Sequence, residues 1–141
     1  MKYRLALALL LSASAHAQTV GIHTVSVHEN EGYNNVNPGL YLRLDNGVTL
    51  GTLRNSESRQ SVYVGYTAET PAWHALRAAV TVGGITGYRA APVMPLVVPS
   101  VAYEFAPTFR VRLGYIPRPP VKNSSSALSL MFEMDWSKEW S

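Results

Sequence analysis

There is no cysteine in the 141 residues. Disulfide frameworks, thiolate metal sites and thiol nucleophiles are excluded at once. Charge is scarce: Asp, Glu, Lys and Arg make up 15% of the chain, and no Lys/Arg block forms on any segment. A nucleic-acid footprint therefore has no basis. The four histidines, one of them His16, show no metal-ligand spacing. Beyond the first residues, no apolar run approaches the roughly 18 residues that a transmembrane helix needs. Disorder is excluded too, since the chain is 47% hydrophobic and carries eight tyrosines.

The N-terminus has its own pattern. Lys2 and Arg4 precede an unbroken Leu/Ala run from Leu5 to Leu11, and Ala15-His16-Ala17 has the small-x-small form of a cleavage site. Residues 1–17 read as a secretory signal peptide, with a buried N-terminal helix as the alternative. The expected mature chain is 18–141. Without Lys2 and Arg4, ten basic residues face nine acidic ones, so most of the formal charge of +3 belongs to the leader. An exported bacterial protein is expected.

The remainder reads as eight strands of alternating character. They cover 22–28, 38–45, 48–54, 61–67, 73–82, 93–103, 109–115 and 126–136. Asn46-Gly47 is a strong hairpin signal between the second and third. The sixth is the least regular, because Pro95 and Pro99 interrupt it. Thr70-Pro71 could open a helix instead of the fifth strand, but the segment runs into Thr81-Val82-Gly83-Gly84 and its alternation fits a strand.

Arg43, Arg77, Arg110, Arg112, Glu133 and Asp135 all fall on the face opposite the aliphatics. A soluble barrel would bury the apolar face, whereas a membrane barrel turns it to lipid and keeps the polar face in its lumen. Strands of about 9–11 residues suit a bilayer. Tyr66, Trp73, Tyr103, Tyr115 and Trp136 lie near strand ends, as in an aromatic girdle. The expected fold is all-β: an eight-stranded antiparallel outer-membrane β-barrel over residues 18–141, monomeric and too narrow for a diffusion pore. Short connections at 45–47, 68–72 and 104–108 alternate with longer ones at 29–36, 55–60, 83–92 and 116–125. Short turns face the periplasm in such barrels, so the longer loops form the outer rim.

Chemistry is expected at that rim. His28 ends the first strand on the lumen-facing parity, and Arg54-Asn55-Ser56 ends the third. A histidine that accepts a hydroxyl proton, with a donor for the oxyanion, is the equipment of acyl transfer. Tyr33, Asn34 and Asn37 follow His28 in a tract rich in turn formers, which alternatively is an ordered loop alone. His23 shares the face of Val25 and Val27 and is expected to point at lipid. Gly39, Gly51 and Gly65 are expected to leave room in the lumen.

The stretch 82–89 (Val-Gly-Gly-Ile-Thr-Gly-Tyr-Arg), then 92–103 with Pro95, Pro99 and Ser100-Val101-Ala102-Tyr103, then 109–117 ending Gly114-Tyr115-Ile116-Pro117, resembles the second half of the lipid A palmitoyltransferase family. That family has a Gly-Val-Thr-Ala-Arg tract, a proline-punctuated strand ending in Ala-Ser-Val-Gly-Tyr, and a Thr-Tyr-Ile-Pro strand end. Residues 32–39 and Asn55-Ser56 extend the likeness loosely. The resemblance implies an outer-membrane enzyme that moves a palmitoyl chain from a phospholipid to lipid A, without a cofactor. It places the family's histidine at His28, with His23 the alternative, and its Asp-Ser pair at Asn55 and Ser56. Arg54, Tyr33, Asn34 and Asn37 become substrate contacts. Pro95 and Pro99 match prolines that loosen strand pairing and open a lateral route for acyl chains, since a strand proline lacks the ladder donor. Asn55 departs from the family carboxylate, and the family's helix before the first strand has no counterpart in Gln18–Val20. The alternatives are a lipid A deacylase, a non-enzymatic barrel for adhesion or envelope integrity, and a soluble lipocalin-like carrier.

Overall fold

The computed structural model describes residues 17–29, 32–88, 91–117 and 126–135. The proposed leader and Trp136 lie outside them, except for Ala17, which opens the first strand. Eight strands form one closed antiparallel barrel in chain order: β1 (Ala17–His28), β2 (Val36–Leu44), β3 (Val48–Arg54), β4 (Gln60–Glu69), β5 (Leu76–Ile85), β6 (Met94–Ala106), β7 (Phe109–Ile116) and β8 (Ala127–Asp135). β1 closes the ring against β8.

Alternation decides which face meets which medium. Val27, Leu40, Val62 and Val97 point outward and are 69%, 59%, 59% and 50% exposed. Glu133, Arg110 and Arg112 point inward and are 2–3% exposed. A soluble carrier with an apolar interior would show the inverse. The outward wall is a lipid-facing coat, and the fold is that of an outer-membrane β-barrel. Tyr66, Trp73 and Tyr103 are exposed beside the short-turn end, together with the stacked Phe105 and Phe109, whereas Tyr115 stands near the opposite rim.

Three departures from the sequence pattern bear on the lumen and its rim. β5 begins at Leu76 rather than Trp73, because Trp73 and Leu76 close a tight turn with His74 and Ala75 at φ 49° and 68°. β6 runs unbroken through both prolines to Ala106. β1 contains a bulge: its register against β8 slips by one residue between His23 and Ser26. The Thr24 hydroxyl donates to the Leu130 carbonyl at 2.7 Å there. One extra residue flips the parity. His23 therefore points into the lumen, contrary to expectation, while Val25 and Val27 still face lipid.

The half of the lumen nearest the short turns is filled by ion pairs. Glu133 accepts from Arg112 at 2.7 and 3.0 Å, from Arg43 at 3.0 Å, and from the Tyr41 hydroxyl. Glu69 pairs with Arg112, Arg110 and Arg77, and Asp135 with Arg110. Charges buried in a narrow lumen are tolerable only when paired and hydrogen-bonded. The inward glycines do not leave space here. The Tyr41 ring lies over Gly21 and the Tyr63 ring over Gly51, each within 2.5 Å of where a Cβ would sit; a Cβ on Gly39 would meet the Thr52 carbonyl at 2.1 Å. One on Gly65 would meet the Val82 carbonyl at 2.5 Å.

Glu133→Gln keeps the shape but leaves Arg43 and Arg112 without their shared carboxylate. It should cost about 3–5 kcal/mol, read as a lower urea midpoint for unfolding from detergent micelles. Glu104→Gln should cost about 1 kcal/mol or less, because its ion pair to Arg77 is 4.0 Å long and partly exposed.

Candidate functional site

Above the charged layer the lumen changes character. A cavity of about 330 Å³ opens toward the longer loops. Leu53, Ile85, Met94, Leu96, Val98 and Met131 supply its apolar wall. At its base lie His23, Tyr41 and Tyr63, and beneath them Arg43 and Arg112. His23 Nε2 is 2.8 Å from the Tyr63 hydroxyl, and its ring stands 4.9 Å from that of Tyr41.

The rim holds the residues singled out from sequence, in altered roles. His28 lines the cavity, stacked on Tyr33 at 5.1 Å. Its Nδ1 donates to Asn35 Oδ1 at 2.7 Å. That bond leaves Nε2 as the basic nitrogen of a neutral ring. The amide that orients His28 is therefore Asn35 and not Asn55. Asn55 is 1% exposed and its side chain is fully engaged. Its Nδ2 donates to Ser61 Oγ at 2.8 Å and to the Gly87 carbonyl at 2.9 Å, and its Oδ1 accepts from the Glu57 and Arg59 amides. An amide with both protons and both lone pairs engaged has nothing left for a histidine or an oxyanion. The role expected for Asn55 is corrected accordingly: it fastens two loops together.

Ser56 and Tyr88, the latter from the β5–β6 loop, also line the cavity. No hydrogen bond joins Ser56 to His28 among the described residues. Burial raises the Tyr88 phenol above its ordinary value, the nearby Ser56 hydroxyl works against that, and the charge of Glu57 adds to it. Asn34 caps its loop through the amide and carbonyl of Val36 and does not reach the cavity. Asn37 touches the cavity but is held by Ser26 and by the Arg54 carbonyl. Arg54 and Pro99 are exposed and lie off the cavity wall, while Pro95 borders it. Tyr88 and Asn35 were missed from sequence. The available signal for Tyr88 was an aromatic directly after Gly87, a turn glycine at φ 89°.

Among the described residues the barrel wall has a weak seam between β6 and β7. The ladder stops at Ser100↔Gly114, so Val97–Pro99 and Tyr115–Pro117, which would extend it, do not pair with one another; Val97–Pro99 pair with β5, and Tyr115 and Ile116 with β8. The prolines account for the side on which this happens. β5 pairs through both of them, at Gly84↔Pro95 and Val80↔Pro99. A proline inside an intact ladder must turn its nitrogen away from that partner. Both donorless nitrogens therefore face the β7 side, and that of Pro99 falls where the pairing is missing.

No protein-family model matches the chain, and no curated protein does. Among solved structures, the solution NMR structure of the de novo designed TMB2.3 superposes with a TM-score of 0.58, at 14% identity over 84% of this chain and 94% of that one. The crystal structure of Neisserial surface protein A (NspA) gives a TM-score of 0.42 at 14% identity over the same shares. The designed protein shares this chain's fold.

Asn55→Asp should destabilise the barrel by about 1–3 kcal/mol, because it removes the donor to Ser61 and Gly87. A urea titration checks this, and an unchanged or raised midpoint would contradict the fastening role.

Proposed function

We propose that this outer-membrane barrel receives an acyl chain from an outer-leaflet lipid into its upper lumen. One observation carries the reading: an apolar cavity lies behind the stretch of wall where Val97–Pro99 and Tyr115–Pro117 run side by side unpaired, and Pro95, Val97, Ile116 and Pro117 border it. An interior cavity lined by Leu, Ile and Met is poorly suited to water and well suited to hydrocarbon. The seam gives a chain a path from lipid that avoids the charged half of the lumen. This geometry supports non-covalent lipid handling at the envelope. Adhesion draws less support, since the connections at 55–59 and 86–93 are short.

Acyl transfer to lipid A is the finer reading. His28 and Ser56 on one cavity mouth favour it, as does the family resemblance of residues 82–117. His28 Nε2 would take the proton of the attacking hydroxyl. Against it stands the engagement of Asn55. Mass spectrometry of lipid A from cells with and without the protein separates the two. An added acyl chain that is lost in His28→Ala supports transfer; unchanged lipid A leaves lipid occupancy as the function.

Entry through the seam can be blocked. Extended two residues past its last pair, Ser100↔Gly114, the β6–β7 register would set Val98 opposite Ile116, and a chain without cysteine makes an introduced pair the only thiols present. In the double variant Val98→Cys, Ile116→Cys, oxidation should prevent loading of phospholipid measured by native mass spectrometry, and reduction should restore it. Equal loading in both states would contradict lateral entry.

A further inference from the structure

We propose that Arg54 and Arg59 clamp the phosphate of an outer-leaflet lipid that lies against the outside of the β3–β4 wall. The site is on the lipid side of the barrel and does not depend on what fills the cavity.

Arg54 breaks the rule that orders the rest of the wall. Among the described strand residues it is the only charged side chain on the outward face; the others all point into the lumen. It pairs with Gln60 at the last rung of the β3–β4 ladder, beyond Thr52↔Val62 and Leu50↔Val64. Val62 and Val64 are exposed toward lipid. On the same outward face Gln60 Nε2 donates to Thr52 Oγ1 at 2.6 Å. The end of the wall beside the longer loops is the outer one in barrels of this kind. Arg54 therefore stands at head-group depth, over a strip of wall that suits acyl chains.

Arg59 supplies a second cation beside it. The Asn55 amide donates to the Arg59 carbonyl at 2.8 Å, so Arg54 and Arg59 flank the neck of one hairpin. Asn55 Oδ1 also accepts the Arg59 amide at 3.1 Å, which fixes the backbone there and limits the ordering cost of binding. Both arginine side chains are exposed and neither borders the cavity. Neither has an ion pair or a side-chain hydrogen bond among the described residues. Glu57, the acid of this hairpin, borders the cavity and has a partner of its own.

This arrangement selects its ligand. A guanidinium keeps its charge at every physiological pH, and its fork of donors matches phosphate oxygens. The complementary molecule carries anionic oxygens at its head and hydrocarbon directly beneath. A lipid phosphate has both parts, whereas free phosphate has only the first.

Native mass spectrometry of the full chain in detergent micelles compares phosphatidic acid with a diacylglycerol carrying the same two chains. The two differ in the phosphate alone, so binding of chains in the cavity or along the wall treats them alike. The wild type should prefer phosphatidic acid roughly twentyfold, and Arg54→Gln and Arg59→Gln should each lose about fivefold, the effect of one basic residue at a lipid surface. The double variant should show no preference. Arg54→Gln combined with Glu104→Gln restores the net charge at the opposite end of the barrel and should remain as weak as Arg54→Gln. Recovery of the preference there would mean attraction by net charge alone and would overturn the clamp. Equal binding of the two lipids by the wild type, or a preference that survives in the double variant, also overturns it. Inorganic phosphate in equal amount should leave the bound lipid in place, and displacement by it would overturn the lipid as occupant. Each of these failures leaves the acyl-chain reading of the cavity untouched.

Discussion

Inside a bilayer no water is available to a backbone amide or carbonyl, so a spanning sheet must close on itself. Everything else in this barrel follows from that closure. Eight strands give a lumen just wide enough to be filled by side chains. The period of two then sends every second residue to lipid and every other one inward. The charged residues therefore had to meet inside, and they do so around Glu133 and Glu69, with the arginines of β2, β5 and β7 as partners. Where the described pairing lapses, between Val97–Pro99 and the end of β7, Pro99 lacks a donor that would have extended it.

The fold was legible because alternation is a property of the sequence itself. The strands, their inward charges and the order of short and long connections could all be read before any coordinates. What could not be read was any event that shifts parity or consumes a side chain locally. His23 looked lipid-facing because its parity was counted through Thr24 and Val25, where a bulge resets it. Asn55 looked like a substitute for a catalytic carboxylate because its neighbourhood in sequence is a hydroxyl and an arginine. In space its neighbours are Ser61 and the Gly87 carbonyl, from a residue 32 positions away. Gly39 and Gly51 looked like free volume, yet glycines in a barrel wall are places where a neighbour comes close, and a leucine and a tyrosine fill them.

The candidate site was legible in its location and illegible in its pairing. His28 and Ser56 do share one cavity mouth, but the histidine has a partner that the sequence did not reveal, Asn35, and no hydrogen bond joins it to Ser56 among the described residues. That moves the weight from a nucleophile-and-base arrangement toward a polar collar over an apolar chamber. The lumen is accordingly a stack of three zones. Ion pairs fill the half near the short turns, a layer of His23, Tyr41 and Tyr63 lies above them, and hydrocarbon-compatible space opens above that.

The claim that this upper space holds an acyl chain is tested most directly by NMR of the methyl-labelled barrel in phospholipid bilayers. Cross-relaxation between lipid acyl protons and the methyl groups of Ile85 and Met131, both buried inside the lumen, is the predicted result. Contacts from those methyls to water alone, with acyl contacts confined to outward residues such as Val62 and Val97, would contradict it.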